Sequence, residues 1–484
     1  MSMSLIEKVK KKYGRLPIAA RATLWFFVCS LLQKAISVIS TPIFTRLMTT
    51  EQYGQVSVYN SWLQIFTIFT TLRLDYGVFN TGMSRYKENR DDYTSTMQII
   101  ALALACGFLC LYLPFRSQIN AITELPTLIM IAMFIELMFT PATSFWTHRK
   151  RYEYVYKPVV VRTILMALLN VGLSVVTVLL FTEKDYAKIL TGIVVNVLFG
   201  IIFFGFNFCS AKKKFVFEYA KYAVLFSMPL VVHYLGQYAL DQFDRIMIQK
   251  LVGLSAVGLY SVAYNAALMM KLVTNNLNST MVPWLYAKLE KKDVDAKKID
   301  NTYFLLFTFV GIIAILYSAC APEIILLMAG RNYFDSIYVI PPVAIGIFFL
   351  FMYTAFANVE FFYKHNKFTM FITIGDALIN IVTNYIFIQM FGYVIAAYTT
   401  LLCYLISAVA HYFYLKRYLT RAKGRGYFDG KRITILSVAV LIGGIAVIYL
   451  YDKPLIRYSI IIAVSLACFK YRNYFLEVLK ESRK

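Results

Sequence analysis

The stretch IALALACGFLCLYL, residues 100–113, carries no charged side chain and is apolar on every face. A strand of a membrane barrel would instead alternate apolar and polar residues over about 10 positions. Within residues 94–114 the chain is long enough, at about 1.5 Å per residue, to cross a hydrocarbon layer roughly 30 Å thick as an α-helix. The stretch therefore predicts a membrane-spanning helix.

Similar apolar runs recur along the whole chain of 484 residues, of which 59% are hydrophobic and only 15% are charged, with a mean hydropathy of +0.62. A soluble domain could not bury so much apolar surface. The sequence therefore predicts an all-α integral membrane protein, with twelve or thirteen spans as alternatives because the last run is short. The best count is fourteen spans, at residues 23–45, 55–78, 94–114, 124–147, 158–182, 187–209, 219–245, 254–280, 302–323, 336–360, 368–390, 392–415, 433–450 and 455–470.

Basic residues alternate between the two sides of these spans. If the N-terminus is cytoplasmic, the inner segments hold most of the 49 lysines and arginines, including the clusters at 10–12, 149–151 and 212–214. This positive-inside pattern predicts that both termini are cytoplasmic. It also accounts for the net charge of +23 without nucleic acid as a partner.

The sequence offers little for catalysis. The seven cysteines have no C-x-x-C spacing and the four histidines are scattered, so we predict no metal centre. The chain has no G-x-x-x-x-G-K-[ST] motif for ATP, and its longest inter-helix segment, 416–432, is too short for a catalytic domain. We predict a transporter without cofactors, and keep a polysaccharide polymerase or a structural assembly factor as alternatives.

Two stretches of the chain resemble each other. RLM at 46–48 followed by YGQVSVYN at 53–60 is repeated as RIM at 245–247 followed by VGLYSVAYN at 257–265. Each stretch falls at the first outer hairpin of a six-helix block, which predicts two bundles related by a parallel repeat. The predicted domains are therefore a first bundle, a second bundle, and two extra helices with a cytoplasmic tail, at residues 1–210, 211–420 and 421–484.

Charged residues within the predicted spans point to a transport path. A cation at mid-bilayer costs about 2.5–3.5 kcal/mol, so such residues are expected to face a polar cavity or an acidic partner. Neutral polar residues flank them at helical spacing, which predicts a cationic cavity for an anionic substrate between the blocks. The alternative is that the neutral residues join helices by hydrogen bonds, with Arg73 pairing locally with Asp75. The cavity set is Lys34, Lys271, Arg73, Arg162, Arg245, Gln33, Asn60, Gln64 and Asn275.

Acidic residues form a second set within the predicted spans. A carboxylate in a low-dielectric environment takes up a proton or binds a cation, so it can couple transport to an ion gradient. The alternative is salt bridging, as between Asp241 and Arg245 one helical turn apart. The predicted cation-coupling set is Asp241, Asp244, Asp376, Asn380 and Glu136.

Four local motifs are informative about the family: QK at 33–34, PIFTRLM at 42–48, EQYG at 51–54, and DR at 244–245 before GLY at 258–260. With the helix count, they resemble the oligosaccharide repeat-unit flippases of polysaccharide biosynthesis, which share a superfamily with multidrug extruders and the lipid II flippase. The resemblance implies flipping of undecaprenyl-pyrophosphate-linked oligosaccharide across the bacterial inner membrane, with a polysaccharide polymerase as a further partner.

The same resemblance implies alternating access driven by protons or sodium ions, with O-antigen or another surface polysaccharide as the product. It makes Lys34 and Lys271 the expected partners of the pyrophosphate. A cation site between helices seven and eleven, as in the lipid II flippase, would be matched here by Asp241, Asp376 and Asn380. The two extra helices would form a groove for the lipid tail. A small-molecule extruder of the same fold is the alternative, although such a protein calls for an acidic cavity.

Overall fold

The computed structural model describes residues 17–75, 77–291, 293–424 and 426–470, without the side chains of Val232, His233, Asn366, Ala422 and Lys423. Throughout these ranges the chain forms helices and no β-strand, which confirms the predicted all-α fold. The basic cluster at 10–12 and the tail after residue 470 lie outside the described residues.

Eighteen α-helices and one 3₁₀ helix, Arg331–Val339, follow one another in the described ranges. In chain order the α-helices are α1 Ile18–Leu47, α2 Thr50–Thr71, α3 Gly77–Arg85, α4 Arg90–Tyr112, α5 Arg116–Thr123, α6 Thr127–Tyr152, α7 Lys157–Leu180, α8 Lys184–Ser210, α9 Phe217–Leu251, α10 Leu254–Ala267, α11 Met269–Leu289, α12 Ala296–Ala319, α13 Ala321–Met328, α14 Ile340–Phe362, α15 Asn366–Phe391, α16 Ile395–Lys423, α17 Gly430–Ile448 and α18 Pro454–Lys470.

Eleven helical segments in the described ranges are long and apolar enough to cross a membrane, and α9, which is bent, makes a twelfth if its two parts are counted as one span. The protein is therefore a multi-pass membrane protein. Helices α2 and α18 coincide with the second and fourteenth predicted spans, but they do not meet the same length and hydropathy criteria. The count of fourteen stays a prediction.

The chain divides into two compact units, Met1–Leu235 and Gly236–Lys484. In the first unit α6 packs along α8, α4 packs against α6, and α1 packs against α7. In the second, α14 packs against α16 and α12, and α17 packs against α12. Because α17 joins this packing, the second unit includes the first of the two extra helices. The internal repeat and the three predicted domains stay predictions.

Close packing between α6 and α8 depends on Gly200. A methyl group added there would lie 2.7 Å from the backbone carbonyl carbon and oxygen of Phe139. We expect Gly200→Ala to lower the free energy of unfolding by about 1–3 kcal/mol, because backbone atoms cannot move aside cheaply. The measurement is the Tm of the purified protein in detergent.

Gly205, five residues along the same helix, provides the matched control. A methyl group there meets no heavy atom within 4 Å. Gly205→Ala should leave Tm unchanged or raise it, since alanine is a better helix former than glycine by about 1 kcal/mol. Equal Tm values for the two variants would show that α6 and α8 do not pack as closely as described.

Candidate functional site

A buried polar cluster in the second unit surrounds Asp244 of α9. The hydroxyl of Tyr260 donates to Asp244 Oδ2 at 2.5 Å, Asn384 Nδ2 donates to Oδ1 at 2.7 Å, and Thr400 Oγ1 donates to Oδ2 at 3.1 Å. These donors come from α10, α15 and α16. All four residues are buried, with Asp244 only 1% exposed.

Two further buried residues complete this group, which we call the Asp244 cluster. Asn380 Nδ2 donates to Thr400 Oγ1 at 3.3 Å, and Asn380 Oδ1 accepts from Asn384 Nδ2 at 3.1 Å. The Thr399 hydroxyl donates to Asn384 Oδ1. The cluster thus consists of Asp244, Tyr260, Asn380, Asn384, Thr399 and Thr400.

The hydrogen-bond partners of the Asp244 carboxylate are neutral. The adjacent guanidinium of Arg245 turns elsewhere, donating to Ser261 Oγ at 3.2 Å and to the backbone oxygen of Asp241 at 2.6 Å, with its Cζ 4.9 Å from the centre of the Tyr264 ring. A single carboxylate among hydroxyl and amide oxygens offers hard oxygen ligands, which suit a proton or a small cation. No group of three or more His, Cys, Asp or Glu residues that could hold a metal ion occurs in the described part of the chain.

Asp376 lies on the same face of α15 as Asn380, one turn earlier. Its side chain is buried, and its carboxylate accepts a hydrogen bond from the Ser407 hydroxyl of α16. The thiol sulfur of Cys403 lies 3.5 Å from the backbone oxygen of Asp376. The predicted coupling residues Asp244, Asp376 and Asn380 thus lie within one polar region of the second unit.

Lys271 of α11 has an acidic partner, Asp241 of α9. Their Nζ and Oδ1 atoms are 3.7 Å apart, and the two side chains are 30% and 37% exposed. The alternative prediction of a salt bridge from Asp241 to Arg245 is wrong, because Arg245 bonds the backbone oxygen of Asp241 and the carboxylate faces Lys271. Asn275, one turn after Lys271, is exposed.

Glu136 of α6 is a buried carboxylate of the first unit. Its two oxygens accept from the Tyr59 hydroxyl of α2 and from Asn196 Nδ2 of α8, each at 2.6 Å. Glu136 is 3% exposed. Glu136, Tyr59 and Asn196 thus form a hydrogen-bonded group within the first unit.

The other predicted cavity residues of the first unit are spread over its helices. Lys34 and Gln33 are exposed on α1, Asn60 is exposed and Gln64 half-buried on α2. Arg162 is half-buried on α7, with its Cζ 5.9 Å from the centre of the Phe203 ring.

Arg73 requires a correction, because it does not lie within a spanning helix. Helix α2 ends at Thr71, and Leu72 and Arg73 adopt left-handed backbone conformations with φ of 47° and 50°. The guanidinium lies 5.9 Å from the centre of the Tyr234 ring. One carboxylate oxygen of Asp75 is buried and has no hydrogen-bond partner among the described residues.

Sequence reasoning missed several residues of these groups. Tyr59, Asn196, Tyr260 and Thr400 carry no charge and sit in apolar runs, so only the three-dimensional structure shows that they bond buried carboxylates. Lys188 was missed because it stands at the edge of a predicted span. Its Nζ lies 3.6 Å from the centre of the Phe44 ring, a cation–π contact.

An apolar groove of about 220 Å³ lies between α14, α16 and α17. Its walls include Phe349, Met352, Val409, Ile433 and Leu441. A polar basin of about 380 Å³ adjoins it, since Tyr412 and Gly430 line both spaces. The basin contains two lysines and two aspartates, Lys297, Lys416, Asp300 and Asp429. Groove and basin together form an amphipathic surface on the second unit.

Known structures share this fold. The chain aligns with the lipid II flippase MurJ in an inward closed conformation with a TM-score of 0.70, at 13% identity, covering 93% of this chain and 99% of that one. It aligns with an inward-facing multidrug resistance MATE family transporter of the MOP superfamily with a TM-score of 0.60, at 13% identity, covering 83% and 99%.

Sequence comparison gives the family. A Haemophilus influenzae protein described as Lsg locus putative protein 1 is 22% identical over 366 residues, which cover 71% of this chain and 84% of that protein. An uncharacterized membrane protein of the same organism is 21% identical over 365 residues, covering 73% and 86%. The profile of the polysaccharide biosynthesis protein family matches residues 19–289, more than half of the chain. The chain is therefore a member of the polysaccharide biosynthesis protein family.

Proposed function

We propose that the protein is a flippase that moves undecaprenyl-pyrophosphate-linked oligosaccharide repeat units from the cytoplasmic to the periplasmic leaflet of the bacterial inner membrane. The units then serve O-antigen or another surface polysaccharide. The observation that carries the proposal is the family match over residues 19–289. The likeness of the fold to a lipid II flippase supports it, because that protein is itself a flippase.

The cargo would be an anionic lipid, and its two parts need different partners. Lys34 is exposed, and the Lys271 ammonium is only partly covered by Asp241 at 3.7 Å. Ammonium groups of this kind bind phosphate oxygens by charge-assisted hydrogen bonds. The apolar groove beside α17 suits an acyl or isoprenoid tail.

Coupling to an ion gradient would use the Asp244 cluster. The free energy with which a buried carboxylate binds a proton or a sodium ion depends on how its three neutral hydrogen-bond donors are arranged. Binding and release of the ion would alter the packing of α9 against α15 and α16. Alternating access would follow from rocking of the two six-helix blocks.

The experiment that tests the proposal is deletion of the gene, followed by locating the lipid-linked oligosaccharide in each leaflet. We expect intact units to accumulate on the cytoplasmic face, with loss of surface polymer and rescue by the wild-type gene. Normal delivery to the periplasmic face would contradict the flippase proposal. In that case an extruder, a polymerase or an assembly factor would account for the phenotype.

A cation-coupled small-molecule extruder is the second candidate, favoured by the fold similarity to MATE transporters. It predicts that the chain lowers the accumulation of organic cations in cells that lack polysaccharide genes. Several side chains of the predicted cavity set are cations, including Lys34 and Lys271, and this favours an anionic cargo instead.

Asp376→Asn should separate coupling from cargo binding. The asparagine keeps the size of the side chain and can still accept from the Ser407 hydroxyl, but it loses the negative charge. We expect gradient-driven translocation to fall by about tenfold and cargo binding to stay within about twofold. Translocation in proteoliposomes with and without an imposed gradient measures this.

Ser407→Ala is the control, because it removes the hydrogen bond and keeps the carboxylate. It should retain more gradient-driven activity than Asp376→Asn. Wild-type turnover of Asp376→Asn under a gradient would remove Asp376 from the coupling role.

A further inference from the structure

Glu360 of α14 and His411 of α16 form a buried pair that the proposed mechanism does not use. His411 Nδ1 lies 2.9 Å from Oε1 and 3.0 Å from Oε2 of Glu360, and each side chain is 1% exposed. The Thr369 hydroxyl donates to Glu360 Oε2 at 3.4 Å. The Tyr353 ring stacks on the imidazole with centroids 5.5 Å apart.

This pair continues the polar face of α16 toward the end of the helix. Thr400, Cys403, Ser407 and His411 follow one another at spacings of three and four residues, so they share one face. All four are buried. The helical rise puts His411 about 6 Å from the level of Ser407 and about 16 Å from the level of Thr400.

Every level of this face bonds or faces a polar group on a neighbouring helix. Thr400 bonds Asp244 at 3.1 Å, the Ser407 hydroxyl bonds Asp376, and His411 bonds Glu360 at 2.9 Å. Asp376 also interacts electrostatically with His411. The three carboxylates therefore lie along one file of polar side chains on α16 and its neighbouring helices.

The file has an outlet beyond His411. In the turn before α15, His365 Nδ1 lies 2.8 Å from the hydroxyl of Tyr414, one turn further along α16. Both side chains are half-buried, unlike the enclosed Glu360–His411 pair. Positive-inside charge places this end of α16, with its basic run from 416 onward, on the cytoplasmic side. Protons from that side can reach His365 first.

A purely structural role explains this arrangement less well. A histidine–carboxylate pair buried between two helices is, even when both groups are charged, on average no more stabilising than apolar residues of the same volume. Packing alone also gives no reason for titratable groups at successive levels. The titratable groups around His411 are Glu360 and Tyr353 on α14, Asp376 on α15 and Tyr414 on α16, and the exposed lysines 364 and 367 lie in and after the connecting turn.

We propose that Glu360 and His411 form a proton-binding site, and that the file from His365 through His411 and Asp376 carries protons to and from the Asp244 cluster. The proton binds the His411 nitrogen that does not face Glu360, converting imidazole to imidazolium beside the carboxylate. It then passes to the Asp376 carboxylate, and His411 returns to imidazole. This inference rests on the proposed function, because it makes the proton a coupling ion of the flippase.

Histidine NMR tests the site without any cargo. The chain has only four histidines, so ¹⁵N-histidine labelling of the full-length protein gives few signals, and His411→Gln assigns one of them. We expect that signal to convert from imidazolium to neutral imidazole as the pH is raised, and the Glu360→Gln variant to change the pH at which it converts. A signal that keeps one form at every pH at which the protein stays folded, or that is unchanged in Glu360→Gln, overturns the inference.

Transport supplies the second readout. Glu360→Gln and His411→Gln should lose about tenfold or more of the translocation driven by a pH gradient while keeping gradient-free exchange of lipid-linked oligosaccharide. His148→Gln is the matched control, since His148 is a half-buried histidine of α6 whose acidic neighbour is Asp75 and which is not part of the file. Unchanged gradient-driven transport in both variants overturns the inference. Wild-type protein that moves no oligosaccharide at all contradicts the proposed function, and the NMR result then decides the proton site by itself.

Discussion

Replacing Asp244 by asparagine is expected to reduce translocation of lipid-linked oligosaccharide by about a hundredfold or more, equivalent to about 2.7 kcal/mol in the barrier. The substitution removes the only formal charge of the Asp244 cluster. It also introduces an amide NH₂ among groups that already donate, Tyr260, Asn384 and Thr400. A cluster without its carboxylate cannot compensate the charge of a bound proton or sodium ion. Initial rates in proteoliposomes under an imposed gradient give the measurement.

Thr400→Val is the matched control for this experiment. It removes one of the three hydrogen bonds to Asp244 but keeps the carboxylate. Losing one hydrogen bond to a carboxylate costs about 1.5–3 kcal/mol of stability, but because the charge that binds the ion is kept, transport should fall by less than in Asp244→Asn. Size-exclusion profiles must show that both variants are folded. Wild-type rates for Asp244→Asn would remove the Asp244 cluster from the mechanism and leave it as a structural connection between helices.

The sequence indicates part of this arrangement, while the coupling role of its residues stays a prediction. Asp376, Asn380 and Asn384 stand four residues apart, which places them on one face of a helix, and the structure has Asn384 bonding Asn380 within α15. Periodicity shows which residues share a face but not which helix that face meets. The contributions of α9 and α16 follow from tertiary packing, and Thr399 and Thr400 give no signal because threonine is an ordinary residue of membrane helices.

Charges near helix ends were harder to place than charges within helices. Arg73 was predicted inside the second span because the apolar run continues past it to residue 78. The structure ends α2 at Thr71, where Leu72 and Arg73 take the left-handed conformation that glycine usually adopts. No glycine marks this end, so the sequence lacked the usual signal. The partner of Asp241 was also hard to predict, because Arg245 on the same helix and Lys271 on α11 are both cations within reach.

The predicted anion-binding role of Lys271 leads to the second large effect. Lys271→Ala is expected to abolish surface polysaccharide while membrane insertion stays normal, and Lys34→Ala should do the same. A pair 3.7 Å apart, with both side chains about one-third exposed, holds Lys271 weakly. Its ammonium group is therefore free to exchange Asp241 for the pyrophosphate of the cargo, a stronger partner that carries more charge. Surface polymer in cells and cargo binding by the purified variants provide the measurements.

Asp241→Asn separates cargo binding from simple pairing, because it removes the competing carboxylate and keeps the lysine. If Lys271 serves the cargo, this variant should bind lipid-linked oligosaccharide at least as tightly as wild type, whereas Lys271→Ala should lose affinity. If the pair only joins α9 to α11, both variants should behave alike and lower Tm together. Lys250→Ala, an exposed lysine at the end of α9, controls for general loss of positive charge. Full activity of both Lys34→Ala and Lys271→Ala would contradict a cationic cargo site, because no other pair of cations was predicted to meet the pyrophosphate.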